Sequence, residues 1–220
     1  MTDQDETPDF LAGDFQKASG VSRETLQKLE DYAALIRDWQ RRLNLVSSRS
    51  IPEIWHRHML DSAQLVPLAE PMRQDRGRPL VWLDIGSGAG FPALVIAIMT
   101  GEEVHMVEKS PRKCGFLRAV AERLAPNAHV HNGRVEDLVA APNVPEADIV
   151  TARACAPLPR LLEMAYHFLS RGAVGLFLKG QHLEEELTQT AKCWRIDHKL
   201  HQSLTSPGGR ILRVEEVSRV

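Results

Sequence analysis

No apolar run in this chain approaches the ~20 residues that a membrane-spanning helix needs. Its first six residues, Met1-Thr2-Asp3-Gln4-Asp5-Glu6, are acidic where a secretory leader would be basic. Together these absences predict a cytoplasmic protein with no membrane partner. Cysteine is scarce: Cys114, Cys155 and Cys193 are odd in number and show no C-x-x-C spacing, so neither a disulfide framework nor a metal site is expected. No internal repeat or low-complexity tract is visible, which sets aside solenoids and biased linkers. Aromatic residues make up only 5% of the chain. An amino-terminal region rich in arginine and poor in aromatics lacks the apolar lid that a small-molecule site usually carries.

Neither sign of charge dominates, at a formal −2, but the distribution is uneven. Residues 1–15 hold five acids (Asp3, Asp5, Glu6, Asp9 and Asp14) and no lysine or arginine; without them 27 basic side chains face 24 acidic ones. The body of the protein is thus slightly basic, which permits a nucleic-acid-binding face. A length of 220 residues with 43% hydrophobic content suits one α/β domain with a modest extension.

The order of patterns predicts a disordered acidic tail over 1–20, a helical extension over 21–78 and a main domain over 79–220, the last two packed as one unit. Within the extension, Leu26, Leu29, Ala33, Ile36 and Leu43 recur at helical spacing between Val21 and Asn44, with Ser22 as cap. Ser50-Ile51-Pro52-Glu53 reads as a capping box opening a second helix that runs to Val66. The charged segment 73–78 reads as a connector. Beyond it, apolar runs at 80–84, 103–108, 128–131, 147–151, 173–179, 193–203 and 210–217 alternate with helical patterns, the mark of a mostly parallel sheet covered on both faces. The turn Ser206-Pro207-Gly208-Gly209 implies that the last two strands form an antiparallel hairpin.

Directly after the first of these strands comes Asp84-Ile85-Gly86-Ser87-Gly88-Ala89-Gly90-Phe91-Pro92. Glycines at alternate positions let backbone approach a ligand closely, and the following helix points its free N–H groups at it, with Pro92 suited to the first turn. A dinucleotide fingerprint would need a small residue where Phe91 stands. The spacing D-x-G-x-G-x-G is instead that of methyltransferases using S-adenosylmethionine, which leave S-adenosylhomocysteine as product. Eighteen residues past Gly90, Glu108 ends the second strand, close to the ~20 expected of a carboxylate that grips a ribose. Alone, it would read as a solvated strand-end acid. The fold class predicted is therefore α/β, a Rossmann-like class I methyltransferase with a seven-stranded, mostly parallel sheet, a C-terminal antiparallel hairpin and an N-terminal helical extension.

Several separated motifs then share one order with a known family. Asn44-Leu45-Val46-Ser47, Arg57-His58-Met59-Leu60-Asp61-Ser62, the glycine loop with Phe91-Pro92, Lys113-Cys114-Gly115-Phe116-Leu117-Arg118, Arg134-Val135-Glu136, Ala152-Arg153-Ala154 and Leu178-Lys179-Gly180-Gln181 resemble the ribosomal small-subunit methyltransferase G family, over residues 20–215. The resemblance implies methyl transfer to N7 of guanine 527 in 16S ribosomal RNA, with that RNA or the small ribosomal subunit as partner; nothing in the sequence demands more than a monomer. The same resemblance places Gly86, Gly88, Phe91, Glu108, Val135, Glu136 and Arg153 at the cofactor. Strand-end packing for Val135 and a surface charge for Arg153 are the plain alternatives.

What is missing fits this chemistry. After the fourth strand the chain reads Thr151-Ala152-Arg153-Ala154-Cys155-Ala156-Pro157, without the Asn-Pro-Pro-aromatic tetrad of amino-group methyltransferases and without a Pro-Cys pair. Cys155 reads as a small packing residue. Guanine N7 exposes a lone pair, so no general base is required. Candidate RNA contacts are Arg57, His58, Asp61 and above all Lys179, with Arg41, Arg42, Arg49, Arg112 and Lys113, most of which read more simply as a solvated helix face; His58 and Asp61, three apart, are equally readable as a structural hydrogen-bonded pair. A small-molecule methyltransferase and a non-catalytic nucleoside-binding module remain as alternatives.

Overall fold

The computed structural model describes residues 10–142 and 145–220. Seven strands form one sheet in the order β3-β2-β1-β4-β5-β7-β6: β1 (Val81–Ile85), β2 (Glu103–Glu108), β3 (Ala128–Asn132), β4 (Ile149–Arg153), β5 (Val174–Lys179), β6 (Trp194–Gln202) and β7 (Arg210–Arg219). β1 to β5 pair in parallel, while β7 runs antiparallel to both β5 and β6. The predicted strands and hairpin are therefore present. β4 starts two residues later than expected, because Asp148 clasps the strand's base: its carboxylate accepts from Val81 N at 2.9 Å and pairs with Arg76 and Arg78.

Alternation along the strands sorts side chains onto two buried faces. Trp82, Val104 and Met106 face α5 (Ala93–Thr100) and α6 (Pro111–Leu124); Leu83, Ile85, Val107, Val150 and Phe177 face α8 (Leu158–Leu169) and α9 (Leu183–Thr190). The apolar helix α5 is buried nearly all round. It can be so because the extension covers it: α2 (Arg23–Gln40) lays Leu29, Tyr32, Ala33 and Ile36 against α5 and α6. Ser22 caps α2 as predicted, its Oγ accepting from Thr25 N at 3.1 Å.

Three expectations for the extension require correction. The tail predicted as disordered over 1–20 falls partly outside the described residues, and its latter part forms α1 (Ala12–Ser19), with Phe15 fully buried against Trp55. No capping box opens at Ser50, whose hydroxyl bonds Ser47 O and His58 Nε2; the chain instead makes a π-helical turn over Trp55–Leu60 leading into α3 (Asp61–Ala63). Part of the supposed connector is helical: α4 (Glu70–Arg76) ends on Gly77 and is pinned by the Arg73 to Glu102 pair at 2.7 Å. A π-turn inside a helix often marks a functional site.

Candidate active site

The order of strands reverses between β1 and β4, and ligands of open parallel sheets bind beyond the carboxyl ends at such a switch point. Here the glycine loop after β1 meets the Ala154–Cys155 segment after β4. Gly86 (φ 74°) donates to Val107 O at 2.9 Å, and a Cβ on it would lie 2.6 Å from Cys155 Sγ. A Cβ on Gly90 (φ 91°) would strike Leu94 and lie 2.9 Å from Tyr32 Oη, which donates to Ala89 O at 2.5 Å. The extension is thereby latched onto the loop by a buried hydrogen bond. Pro92 stands at the N-cap of α5, one position ahead of its predicted place in the first turn.

A cleft of about 420 Å³ opens over this loop and gathers Gly86, Gly88, Glu108, Val135 and Glu136, five of the residues predicted to hold the cofactor. Glu108 is buried; its Oε2 accepts from Gly88 N at 2.9 Å and its Oε1 from Ser110 N at 2.8 Å. Each oxygen keeps a lone pair for a ribose hydroxyl. Val135, at the start of α7 (Val135–Val139), is buried, and Ile85, Val107 and Met164 add apolar wall. Glu136 is exposed and its carboxylate is held by Arg160. A bare Gly88 Cα, with nothing nearer to a built Cβ than Gly86 O at 3.8 Å, leaves room for a ligand against the backbone. The donor set fits a nucleoside: a carboxylate for the sugar diol, an apolar slot for the base and open glycine backbone between.

Beneath the loop, Asp84 is fully buried; its Oδ1 accepts from Thr151 Oγ1 at 2.8 Å, while Oδ2 has no partner among the described residues. Burial pushes its carboxyl up to about 6, against the opposing pull of its hydrogen bonds. Burial also raises the thiol of Cys155, so no thiolate nucleophile is indicated.

Phe91 and Arg153 do not line this cleft. They belong to a neighbouring one of about 730 Å³, which shares Gly86, Gly88, Lys113 and Ala154 with it. Phe91 is packed between the His58 ring, at 4.9 Å between centroids, and the Arg153 guanidinium, 5.0 Å over its centre. Arg153 Nη1 also donates to Arg57 O at 3.1 Å and Asp61 Oδ2 at 3.3 Å. Asp61 in turn accepts from Gln64 Nε2 (2.9 Å) and Thr205 Oγ1 (2.6 Å). His58 and Asp61 are not bonded to each other: His58 Nε2 meets Ser50 Oγ at 2.8 Å, and its buried Nδ1 has no partner among the described residues. Burial, reinforced by Arg153 and Arg57, lowers the His58 imidazole to about 3, leaving it neutral at physiological pH. Arg57 is exposed on the rim.

Lys179 departs from expectation. Its side chain is only 9% exposed and is paired with Glu186 at 2.5 Å, while Nζ donates to Ala156 O at 3.2 Å. Glu186 also accepts from Leu158 N. Lys179 is thus not a free cation: it is tied to Glu186 and to segment 154–158, on the wall of a third cleft of about 590 Å³. Ala154, common to all three clefts, is held at φ 50°, a conformation that costs a non-glycine residue about 1–2 kcal/mol. Sequence reasoning missed the loop Ser203–Pro207 beside the second and third clefts, which carried only the signal of a hairpin turn, and Lys109, Arg134 and Met164 in the first cleft.

The profile of the GidB family, rRNA small subunit methyltransferase G, matches residues 25–213. The chain is 50% identical over 201 residues to ribosomal RNA small subunit methyltransferase G of Paramagnetospirillum magneticum, covering 91% of this chain and 93% of the relative. To the protein of that name from Caulobacter vibrioides it is 42% identical over 213 residues, covering 95% and 93%. Among solved structures, the bifunctional kinase-methyltransferase WbdD superposes with a TM-score of 0.51 at 19% identity, over 81% of this chain and 41% of that one. That likeness bears on the fold alone.

Proposed function

Since this chain belongs to the rRNA small subunit methyltransferase G family, we propose that it transfers a methyl group from S-adenosylmethionine to N7 of guanine 527 in 16S ribosomal RNA. One observation carries the reading: a nucleoside-sized cleft and a larger polar cleft meet across Gly86, Gly88, Lys113 and Ala154, so a cofactor in one and a base in the other would share a wall. When bound, S-adenosylmethionine supplies an electrophilic methyl carbon.

The protein's own residues bind and orient. Glu108 holds the ribose hydroxyls with charged hydrogen bonds, and Val135 packs against the base. Arg153, fixed by Asp61 and by the Phe91 face, stands at the junction where the guanine is positioned. N7 needs no proton removed, so orientation is the main requirement, and good orientation is worth ~7–11 kcal/mol. Neutral His58 adds no positive charge beside an electrophilic methyl donor.

We further assign 21–78 and 79–220 to one working unit, joined by the Tyr32 to Ala89 bond, that acts as a cytoplasmic monomer on the RNA or on the small subunit. Among the described residues, no helix is long and apolar enough to cross a membrane. The test offers labelled S-adenosylmethionine to intact small subunits, to naked 16S RNA and to a metabolite pool, and maps the label. Label at N7 of guanine 527 is expected; transfer to metabolites alone would overturn the assignment.

A further inference from the structure

A groove of about 490 Å³ lies away from the three clefts around the glycine loop, between the end of α2 and the start of α6. Asp38, Trp39, Arg41, Arg42, Leu43 and Arg112 line it, three guanidinium groups against one carboxylate. Five arginines outside the groove, Arg73, Arg76, Arg78, Arg160 and Arg213, each hold a carboxylate. Arg41, Arg42 and Arg112 form no ion pair among the described residues. Arg112 Nη2 donates to Arg42 O at 2.7 Å, which fixes its guanidinium across the end of α2 and leaves its remaining N–H groups for a ligand. Such a cluster costs self-repulsion unless an anion joins it.

Both walls of the groove continue into the acceptor cleft. On one side Leu43 is followed by Leu45, Val46 and Ser47, which line that cleft; on the other, Arg112 is followed by Lys113, which lines both the cofactor and acceptor clefts. An anionic chain leaving the acceptor cleft would meet the three guanidinium groups next. Half-buried Trp39, braced edge-on by Phe116 at 5.5 Å, adds an aromatic surface to the same groove. Arginines beside an aromatic ring are the chemistry that holds single-stranded nucleic acid by phosphate and base.

We infer that this groove grips the phosphates of the ribonucleotide strand adjoining the target guanine, an inference that rests on the ribosomal RNA reading above. An acidic protein segment is the competing occupant. The test compares three proteins: wild type, Arg41→Ala/Arg42→Ala/Arg112→Ala, and a charge-matched control, Arg118→Ala/Arg123→Ala/Arg195→Ala, whose arginines are exposed away from the groove. Binding of a labelled single-stranded RNA carrying the target loop is measured against salt. Loss of three phosphate contacts should make the log–log salt slope shallower by about 2 in the groove variant, and less so in the control. In turnover, KM for RNA should rise about tenfold with kcat at saturating RNA within about twofold and cofactor affinity unchanged, the pattern of lost uniform binding.

Arg41→Glu/Arg42→Glu keeps the Arg112 contact with the Arg42 carbonyl and should show the same KM effect if folding of the triple variant fails. Equal slopes in groove and control variants would overturn the proposal. So would a groove variant that binds the assembled subunit less well but protein-free RNA as well as wild type does, since that pattern assigns the groove to a protein segment. A wild type that binds the RNA but does not methylate it would defeat the proposed reaction while leaving the groove supported, because the binding arm needs no turnover.

Discussion

Cys155 Sγ occupies the space beside Gly86 that a side chain would need: a Cβ built on Gly86 would lie 2.6 Å from the sulfur and 3.2 Å from Cys155 Cβ. The glycine loop and the segment after β4 are thus fitted to each other at the floor shared by two clefts. Gly86→Ala should weaken cofactor binding at least tenfold and lower thermal stability, through left-handed strain of about 1–2 kcal/mol plus the clash. Adding Cys155→Ala removes the sulfur but neither the strain nor the Cβ contact, so calorimetry should show partial recovery. No recovery would mean that the strain and the remaining Cβ contact, rather than the sulfur, are responsible.

Glu108 spends one lone pair of each oxygen on the backbone N–H groups of Gly88 and Ser110 and keeps the others free. Glu108→Ala should cost about 1.5–3 kcal/mol of cofactor affinity, read by titration calorimetry, because charged hydrogen bonds are lost. Gln at this position keeps only one acceptor oxygen and should recover part of that. Unchanged affinity in Glu108→Ala would remove the residue from the site.

Asp84 and His58 give opposite pH dependences of stability. Asp84 titrates at about 6 in the folded protein against an ordinary 3.8, so the native state holds the extra proton between those values. Its stabilising contribution is complete below about 3.8 and is lost as pH rises through about 6, a span worth on the order of 3 kcal/mol. His58, lowered from 6.5 to about 3, contributes above 6.5 and loses that contribution as pH falls toward 3, about 3 kcal/mol of it by pH 4. Urea midpoints measured from pH 4 to 8 should therefore rise less with pH in His58→Gln than in wild type, and more in Asp84→Asn. Parallel curves for all three proteins would contradict both assignments.

Much of this was legible because local pattern and global fold agree. Strand β2 matches its apolar run, Glu103–Glu108, and Glu108 was readable because the distance from a glycine turn to the next strand end is fixed by the βαβ unit. What the sequence obscured depends on partners remote along the chain. Helix α4 hides in a charged segment because Arg73 is held by Glu102, 29 residues away. The spacing of His58 and Asp61 suggested a helix-face pair, but the π-turn and the Thr205 loop give each a different partner. Lys179 looked like a free cation at a strand end because nothing in its neighbourhood announces that α9 will bring Glu186 to it.

That pairing separates two roles at the junction of the clefts. Lys179 holds Ala156 O directly and Leu158 N through Glu186, so it fixes the segment whose Ala154 and Cys155 wall the cofactor cleft. Lys179→Met leaves the partly buried Glu186 carboxylate without its cation. It should lower thermal stability, and cofactor affinity and turnover should fall together. Lys179→Met/Glu186→Gln, which removes both charges, should regain part of each. Arg153 lines the second and third clefts and is absent from the first. Arg153→Ala should therefore leave cofactor affinity within about twofold while kcat/KM for RNA falls 10-fold or more, about 1.4 kcal/mol of lost transition-state stabilisation. Arg153→Lys keeps the charge but not the flat guanidinium over Phe91, and should stay closer to Ala than to wild type. If Arg153→Ala instead releases the cofactor, the arginine belongs to the first cleft, and the division between a binding cleft and an acceptor cleft must be redrawn around it.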